Sequence, residues 1–147
     1  MNINDEALKL LKSKESYSSV WYLCPAKKMT IGWGHVKEQG DDFNIIDPAK
    51  GEELLRRDCK KAIDCINEKV TYPINENQFS ALAVFIFNIG VPAFSGSTLL
   101  KKLNAGLIAE AANQFLAWNK ITVNGKKEVC RGLSVRREQE KTLFLKP

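Results

Sequence analysis

The sequence predicts a mainly α-helical α+β fold with one small β-ribbon near its N-terminus. Three observations carry that expectation. Residues 17–36 are rich in Tyr, Val, Trp, Thr and Ile and are broken by Pro25, Gly32 and Gly34, the composition of a short ribbon. From Asp47 onward most of the chain reads as helices, with cap residues before apolar stripes and Gly or Pro after them. The run Phe79 to Phe87 is apolar on every face yet far too short to cross a membrane, which makes it the buried centre of a helical core.

The elements follow in order. Asn4 or Asp5 can cap a first helix whose Ala7, Leu8, Leu10 and Leu11 are apolar and which ends near Lys14 and Glu15. The ribbon comes next, then a loop over Gly40 to Asn44. Asp47 followed by Pro48 is a cap with proline in the first turn, opening a long helix to about residue 70 with Leu55, Cys59, Ala62, Ile66 and Val70 on one stripe. Asn75 and Gln78 have capping-box spacing for the apolar helix, and Gly90 with Pro92 should stop it. Ser97 to Asn104 forms a shorter helix closed by Gly106, and Leu107 to Trp118 another. Asn124-Gly125 marks a tight turn, and Ser134 can cap the last helix.

Composition narrows the function classes. At 147 residues the chain is one domain by size, and about 70% of its unfolded surface can be buried without a disulfide framework. Charged residues at 27% and hydrophobic ones at 44% exclude a disordered tail. A formal charge of +5 suits a polyanionic partner such as a bacterial wall or a nucleic acid. The opening Met1 to Leu8 is acidic and polar, with neither an export nor an anchoring signal, so the expected location is cytoplasmic. Cys59 and Cys65, six apart on one helix, point about 240° apart and should not bridge. With Cys130 they read as reduced core or boundary thiols. One histidine and no CxxC pair argue against a metal site, and no cofactor is expected.

The chemistry lies near residue 15. Eight residues separate Glu15 from Cys24 and five separate Cys24 from Thr30, where the chain enters Thr30-Ile31-Gly32-Trp33-Gly34-His35. A glutamate leaving a helix, followed by a ribbon carrying a polar residue and a hydroxyl, can set three side chains around one groove. Cleaving a sugar acetal at neutral pH requires protonation of the leaving oxygen, the work of a carboxylic acid with a raised pKa. A helix C-terminus disfavours negative charge and so helps keep Glu15 protonated.

With that spacing the chain resembles the phage-type lysozymes, the endolysin family that cuts peptidoglycan, whose signature is Glu, eight residues, Asp or Cys, five residues, Thr. Further matches run in order: Gln78-Phe79-Ser80-Ala81-Leu82 to Phe87-Asn88-Ile89-Gly90, then Ser97-Thr98-Leu99-Leu100, then Gly132-Leu133-Ser134-Val135-Arg136-Arg137-Glu138. The resemblance implies a lysozyme-like two-lobed fold with a cleft between the lobes. Residues 15–47 would form the small β-ribbon lobe, 48–70 the connecting helix, and 71–147 with 1–14 the helical lobe. It implies hydrolysis of the β-1,4 bond between N-acetylmuramic acid and N-acetylglucosamine, with inversion, by a monomer that depends on a holin to reach the wall.

The resemblance also assigns roles. Glu15 is the general acid, and the Thr30 hydroxyl helps hold the attacking water. Cys24 stands where other members have an aspartate, although a thiol replaces a carboxylate poorly unless ionised. His35 and Asp58 form a structural ion pair, which should raise the His35 pKa and lower that of Asp58. Asn88 hydrogen-bonds a sugar N-acetyl group, and Arg136 and Arg137 meet acidic stem peptides or merely solvate the last helix. Trp33 and Trp118 read as core.

Four rivals stand beside this reading. A lytic transglycosylase also works with one glutamate, and a wall-binding module could have lost activity. A cysteine hydrolase would need Cys24 and His35 in contact. A nucleic-acid-binding domain would need a basic stripe with exposed aromatic residues, whereas the most aromatic helix here should be buried, so no nucleic acid is expected as a partner.

Overall fold

The computed structural model describes residues 1–147. It is a mixed α+β structure, mostly helix, with a three-stranded and a two-stranded antiparallel sheet. Its contacts divide it into two compact units, Leu8–Lys60 and Met1–Ala7 together with Lys61–Pro147.

Helix α1 (Asp5–Lys14), which starts among Met1–Ala7 and continues into the unit Leu8–Lys60, is capped by Asn4, whose Oδ1 accepts the Ala7 N–H at 3.0 Å. The ribbon follows as β1 (Tyr17–Leu23), β2 (Met29–Trp33) and β3 (His35–Val36), adjacent and antiparallel. The register sets Tyr22 opposite Thr30 and Ile31 opposite His35. Under the ribbon, Ile31, Ile46 and Leu54 form a small core with Trp21 and Phe43, whose rings stack at 5.6 Å. Helix α2 (Pro48–Asp58) packs on β2, capped by Asp47, which accepts the Lys50 N–H at 2.8 Å. The approach is close because glycine meets glycine. A Cβ on Gly32 would lie 3.5 Å from the Gly51 Cα.

The helix expected to run unbroken to residue 70 is instead two, α2 and α3 (Lys60–Lys69), interrupted at Cys59. The Cys59 N–H is shared between the carbonyls of Leu55 and Arg57, and its ψ of −11° tightens the turn without leaving the right-handed region. Because the interruption is one residue long, the stripe survives: Leu55, Cys59, Ala62 and Ile66 are all buried.

The other unit is built on α4 (Glu76–Ile89), which begins with a complete capping box between Asn75 and Gln78 and buries every residue from Phe79 to Ile86. Helix α5 (Val91–Ser95) follows, then α6 (Thr98–Asn104) capped by Ser97, and α7 (Ile108–Gln114). The final helix, α8 (Arg131–Phe144), packs along α4. Phe85 meets Phe94, Phe115 and Trp118 edge-on, the geometry favoured by ring quadrupoles.

Of three local expectations, two hold and one changes. Helix α4 stops at Ile89, before Gly90, and Pro92 then sits in the first turn of the next helix, α5, where a missing N–H costs nothing. Asn124 and Gly125 both take positive φ, 51° and 78°, and close a hairpin of β4 (Lys120–Val123) and β5 (Lys126–Val129). Ser134 is not a cap. Helix α8 already begins at Arg131, and the Ser134 hydroxyl accepts from the Asn119 amide at 3.1 Å. All four cysteines are free, with Cys59 and Cys65 buried. No helix is long and apolar enough to cross a membrane.

Candidate active site

Glu15, Cys24, Thr30, His35 and Asp58 all belong to the unit Leu8–Lys60, whereas Asn88, Arg136 and Arg137 belong to the other. Glu15 is the residue after α1, and its N–H still bonds to the Leu11 carbonyl at 3.2 Å. Its carboxylate lies over Gly34, between β2 and β3. A Cβ on Gly34 would be 2.9 Å from Glu15 Oε2 and 3.1 Å from its Cδ. Gly34 has φ +79°, so both the backbone conformation and the carboxylate require glycine there.

Cys24 and Thr30 come together at the β1–β2 turn. The Cys24 N–H bonds to the Lys28 carbonyl at 3.0 Å, and the Thr30 hydroxyl donates to that same carbonyl at 2.9 Å. The Lys28 N–H, followed by the Thr30 hydroxyl, holds the Cys24 thiol below the ordinary thiol pKa, with burial opposing weakly. The Thr30 hydroxyl has one proton, so it serves the carbonyl or the sulfur at any moment. Thr30 itself is buried.

His35 is almost wholly buried and gripped from both sides. Its Nδ1 is 2.8 Å from Asp58 Oδ2, and its Nε2 is 2.8 Å from Asp41 Oδ2. Asp41 also accepts the Glu38 N–H at 2.9 Å and an Arg57 N–H at 3.2 Å. Burial pulls the His35 pKa down, but the hydrogen bonds to Asp41 and Asp58 outweigh it and lift the value above normal. For Asp41 burial pushes up, while His35, the Glu38 N–H and Arg57 win and lower it. Asp58 departs from the expectation. Burial raises its pKa beyond what His35 restores, and the Glu38 charge adds to the rise. His35, Glu38 and Asp58 each offer one ligand atom within 4.8 Å of the others, a grouping that could hold a cation only by breaking the His35 pairing.

His35 thus spends both ring nitrogens on carboxylates, which leaves none for the Cys24–His35 dyad of a cysteine hydrolase. Asp41 was not singled out in the sequence. An acid six residues past a histidine in a loop carries no spacing signal.

In the other unit, Arg136 and Arg137 do not merely solvate the last helix, one of the two readings the sequence left open. Both are buried around the fully buried Glu140, Arg136 Nε at 3.2 Å and Arg137 Nη1 at 2.7 Å. Arg137 Nε donates to the Trp118 carbonyl at 2.8 Å and its Nη2 to Asn88 Oδ1, while Arg136 Nη2 reaches the Val84 carbonyl. Burial lowers the Arg137 pKa and raises that of Glu140. Their donors are committed inside the protein, and Arg137 acts on Asn88. Glu140 was legible only as an acid four residues after Arg136.

The phage lysozyme family model matches residues 12–140, and the chain belongs to that family. It is 38% identical over 146 residues to an endolysin of Acyrthosiphon pisum secondary endosymbiont phage 1, covering 98% of each chain. It is 42% identical to an endolysin of Bacillus phage B103 across 99% of its own length, though it spans only 54% of that relative. Among solved structures, the muramidase domain of SpmX from Asticaccaulis excentricus superposes with a TM-score of 0.89 at 34% identity, covering 99% of both chains. Fold and relatives together define a peptidoglycan-hydrolysing endolysin with a lysozyme fold.

Proposed function

We propose that the chain is a muramidase that cleaves the β-1,4 bond between N-acetylmuramic acid and N-acetylglucosamine. The observation that carries this reading is the Glu15 carboxylate, seated on Gly34 at the end of α1 with its backbone still bonded into the helix. Glu15 gives its proton to the glycosidic oxygen as the C–O bond breaks. Water attacks the anomeric carbon from the opposite face, giving inversion. When the Thr30 hydroxyl donates to the Lys28 carbonyl, its lone pairs remain to accept from that water. Cys24, ionised to the thiolate that its lowered pKa favours, accepts the proton the water releases and becomes the thiol. Asn88, its carbonyl oxygen taken by Arg137, offers its NH₂ to an N-acetyl carbonyl. The enzyme works as a monomer without a cofactor, gathers in the cytoplasm and reaches the wall once a holin opens the membrane.

Cys24 favours one competing chemistry, since a site without a second carboxylate suits a lytic transglycosylase, in which the muramyl 6-hydroxyl replaces water. Mass spectrometry of digested peptidoglycan separates the two. Reducing ends support hydrolysis, and 1,6-anhydro ends overturn it. Glu15→Gln should lose about 10²–10⁴-fold in activity while folding normally; a variant retaining more than about a tenth removes Glu15 from the acid role.

A further inference from the structure

The core-facing side of the ribbon runs on past its core. Met29 and Ile31 are two apart in β2 and so share a face, and Ile31 is wholly buried with Ile46 and Leu54. Leu23 pairs with Met29 across the strands and leaves on the same face. Nothing covers these two side chains: Leu23 is 62% exposed and Met29 42%. Thr30, next along β2, leaves on the opposite face, so the apolar tip and the proposed water-holding hydroxyl look away from each other.

Cations surround that tip. From Tyr17 to Lys37 the chain has no Asp or Glu, and its lysines there, Lys27, Lys28 and Lys37, are all exposed. None of them pairs with a carboxylate, whereas Lys12 and Lys50 of the same unit hold Glu52 and Glu53. Glu38, the first acid after the stretch, sits beside His35 and Asp58. Lys37 lies along Met29, its N–H bonded to the Met29 carbonyl at 2.9 Å and its ammonium 5.3 Å from the centre of the Trp21 ring. Lys27 is an independent sign. It takes φ 60° in the β1–β2 turn, its N–H on the Cys24 carbonyl at 2.7 Å, in a position where glycine is free of strain. A lysine there keeps a charge at the tip against a backbone cost, and residues so held gather at functional sites.

We propose that the ribbon tip docks on an anionic phospholipid bilayer, with Leu23 and Met29 among the upper acyl chains and Lys27, Lys28 and Lys37 on the phosphates. Apolar side chains or a basic cluster alone hold a protein weakly at a membrane, and the two together hold it reversibly. A soluble polyanion would satisfy the lysines but leave Leu23 and Met29 in water, so the observations favour the bilayer. With Thr30 on the other face, the docked ribbon keeps its hydroxyl side free. Docking needs no turnover, so the inference stands independently of the reading of the chain as a muramidase.

The test is co-sedimentation of the full chain with vesicles of phosphatidylglycerol and phosphatidylcholine in equal parts, and with vesicles of phosphatidylcholine alone. The wild type should pellet with the anionic vesicles only and be released by salt. Leu23→Ser/Met29→Ser should weaken binding at least about tenfold. Lys27→Gln/Lys37→Gln should weaken it about tenfold or more, since each lysine near such a surface contributes roughly fivefold. The single variants Leu23→Ser and Lys37→Gln serve if a double variant is misfolded. Ile121→Ser/Val129→Ser, which strips exposed apolar side chains from the β4–β5 hairpin instead, should bind like the wild type. Undiminished binding without Leu23 and Met29 would make the contact electrostatic only and overturn docking by the tip. Equal binding to phosphatidylcholine alone overturns the role of the lysines, and loss of binding in the hairpin variant with the ribbon variants unaffected overturns the site. Failure to pellet with either vesicle overturns the proposal outright, whatever the enzyme does to a glycan.

Discussion

Gly34 forms the seat of the Glu15 carboxylate: a single methyl group on it would stand 2.9 Å from Oε2. The proposed acid is therefore placed by an absence of side chain on the ribbon as much as by the helix that ends before it. Gly34→Ala should displace the carboxylate and lower wall-clearing activity at least about tenfold, since small misplacements of a reacting group are expensive. The backbone strain alone, on the order of 1–2 kcal/mol, is common to Gly40→Ala, because Gly40 has φ +93° with nothing within 4 Å. If both variants lose stability alike and both keep full activity, Gly34 does not position Glu15.

Cys24 should be the first thiol to react with iodoacetamide near neutral pH. Its pKa is lowered, whereas burial raises Cys65 and pushes Cys59 up to about 12. Alkylation at Cys24 should stop turnover, and Cys24→Asp should keep or raise it, because a carboxylate accepts the water proton directly. A folded but inactive aspartate variant would point back to thiol chemistry. Peptide mapping together with a turbidity assay reads both outcomes.

The Asp41–His35–Asp58 clamp predicts a pH window. His35, with its folded pKa raised, contributes stability that is full below its unfolded pKa and lost as pH rises through the folded value. Asp41, depressed, contributes above its unfolded pKa and loses its share as pH falls through the folded one. Asp58, raised, works against the others: its share shrinks as pH climbs from its unfolded to its folded pKa. The network should be strongest between roughly pH 4 and 6.5, the ordinary values of the two residue types. Asp41→Asn should lower the His35 pKa in an NMR titration and remove on the order of 1–3 kcal/mol in that window, with a smaller deficit at pH 9. An unchanged histidine titration would mean that Asp41 does not hold the ring.

Glu140→Gln should be among the most damaging single changes in this chain. It leaves the buried guanidinium groups of Arg136 and Arg137 without their carboxylate, a loss of about 3–5 kcal/mol in comparable buried pairs. Urea unfolding measures it. A change below about 1 kcal/mol would show that water or the carbonyls of Trp118 and Val84 compensate.

The sequence by itself determined whatever depends on local chemistry. Asn75 with Gln78 and Asp47 with Pro48 each fixed a helix start, because a cap is a contact within a few residues of chain. The uniformly apolar run of α4 announced its own burial, and the spacing of Glu15, Cys24 and Thr30 with the ordered later motifs gave the family. Local chemistry also misled where two outcomes were nearly equal: Ser134 has a cap's side chain but sits inside α8, and a one-residue tightening at Cys59 leaves no trace in an apolar stripe.

Only the tertiary structure decided which distant groups meet. Asp41 reaches His35 from a loop, Glu140 gathers two arginines that read as surface charges, and the Asp58 pKa moves up because burial outweighs its partner. Sequence spacing carries the direction of a side chain along its own element, but not the desolvation it will meet or the charge that another element brings to it.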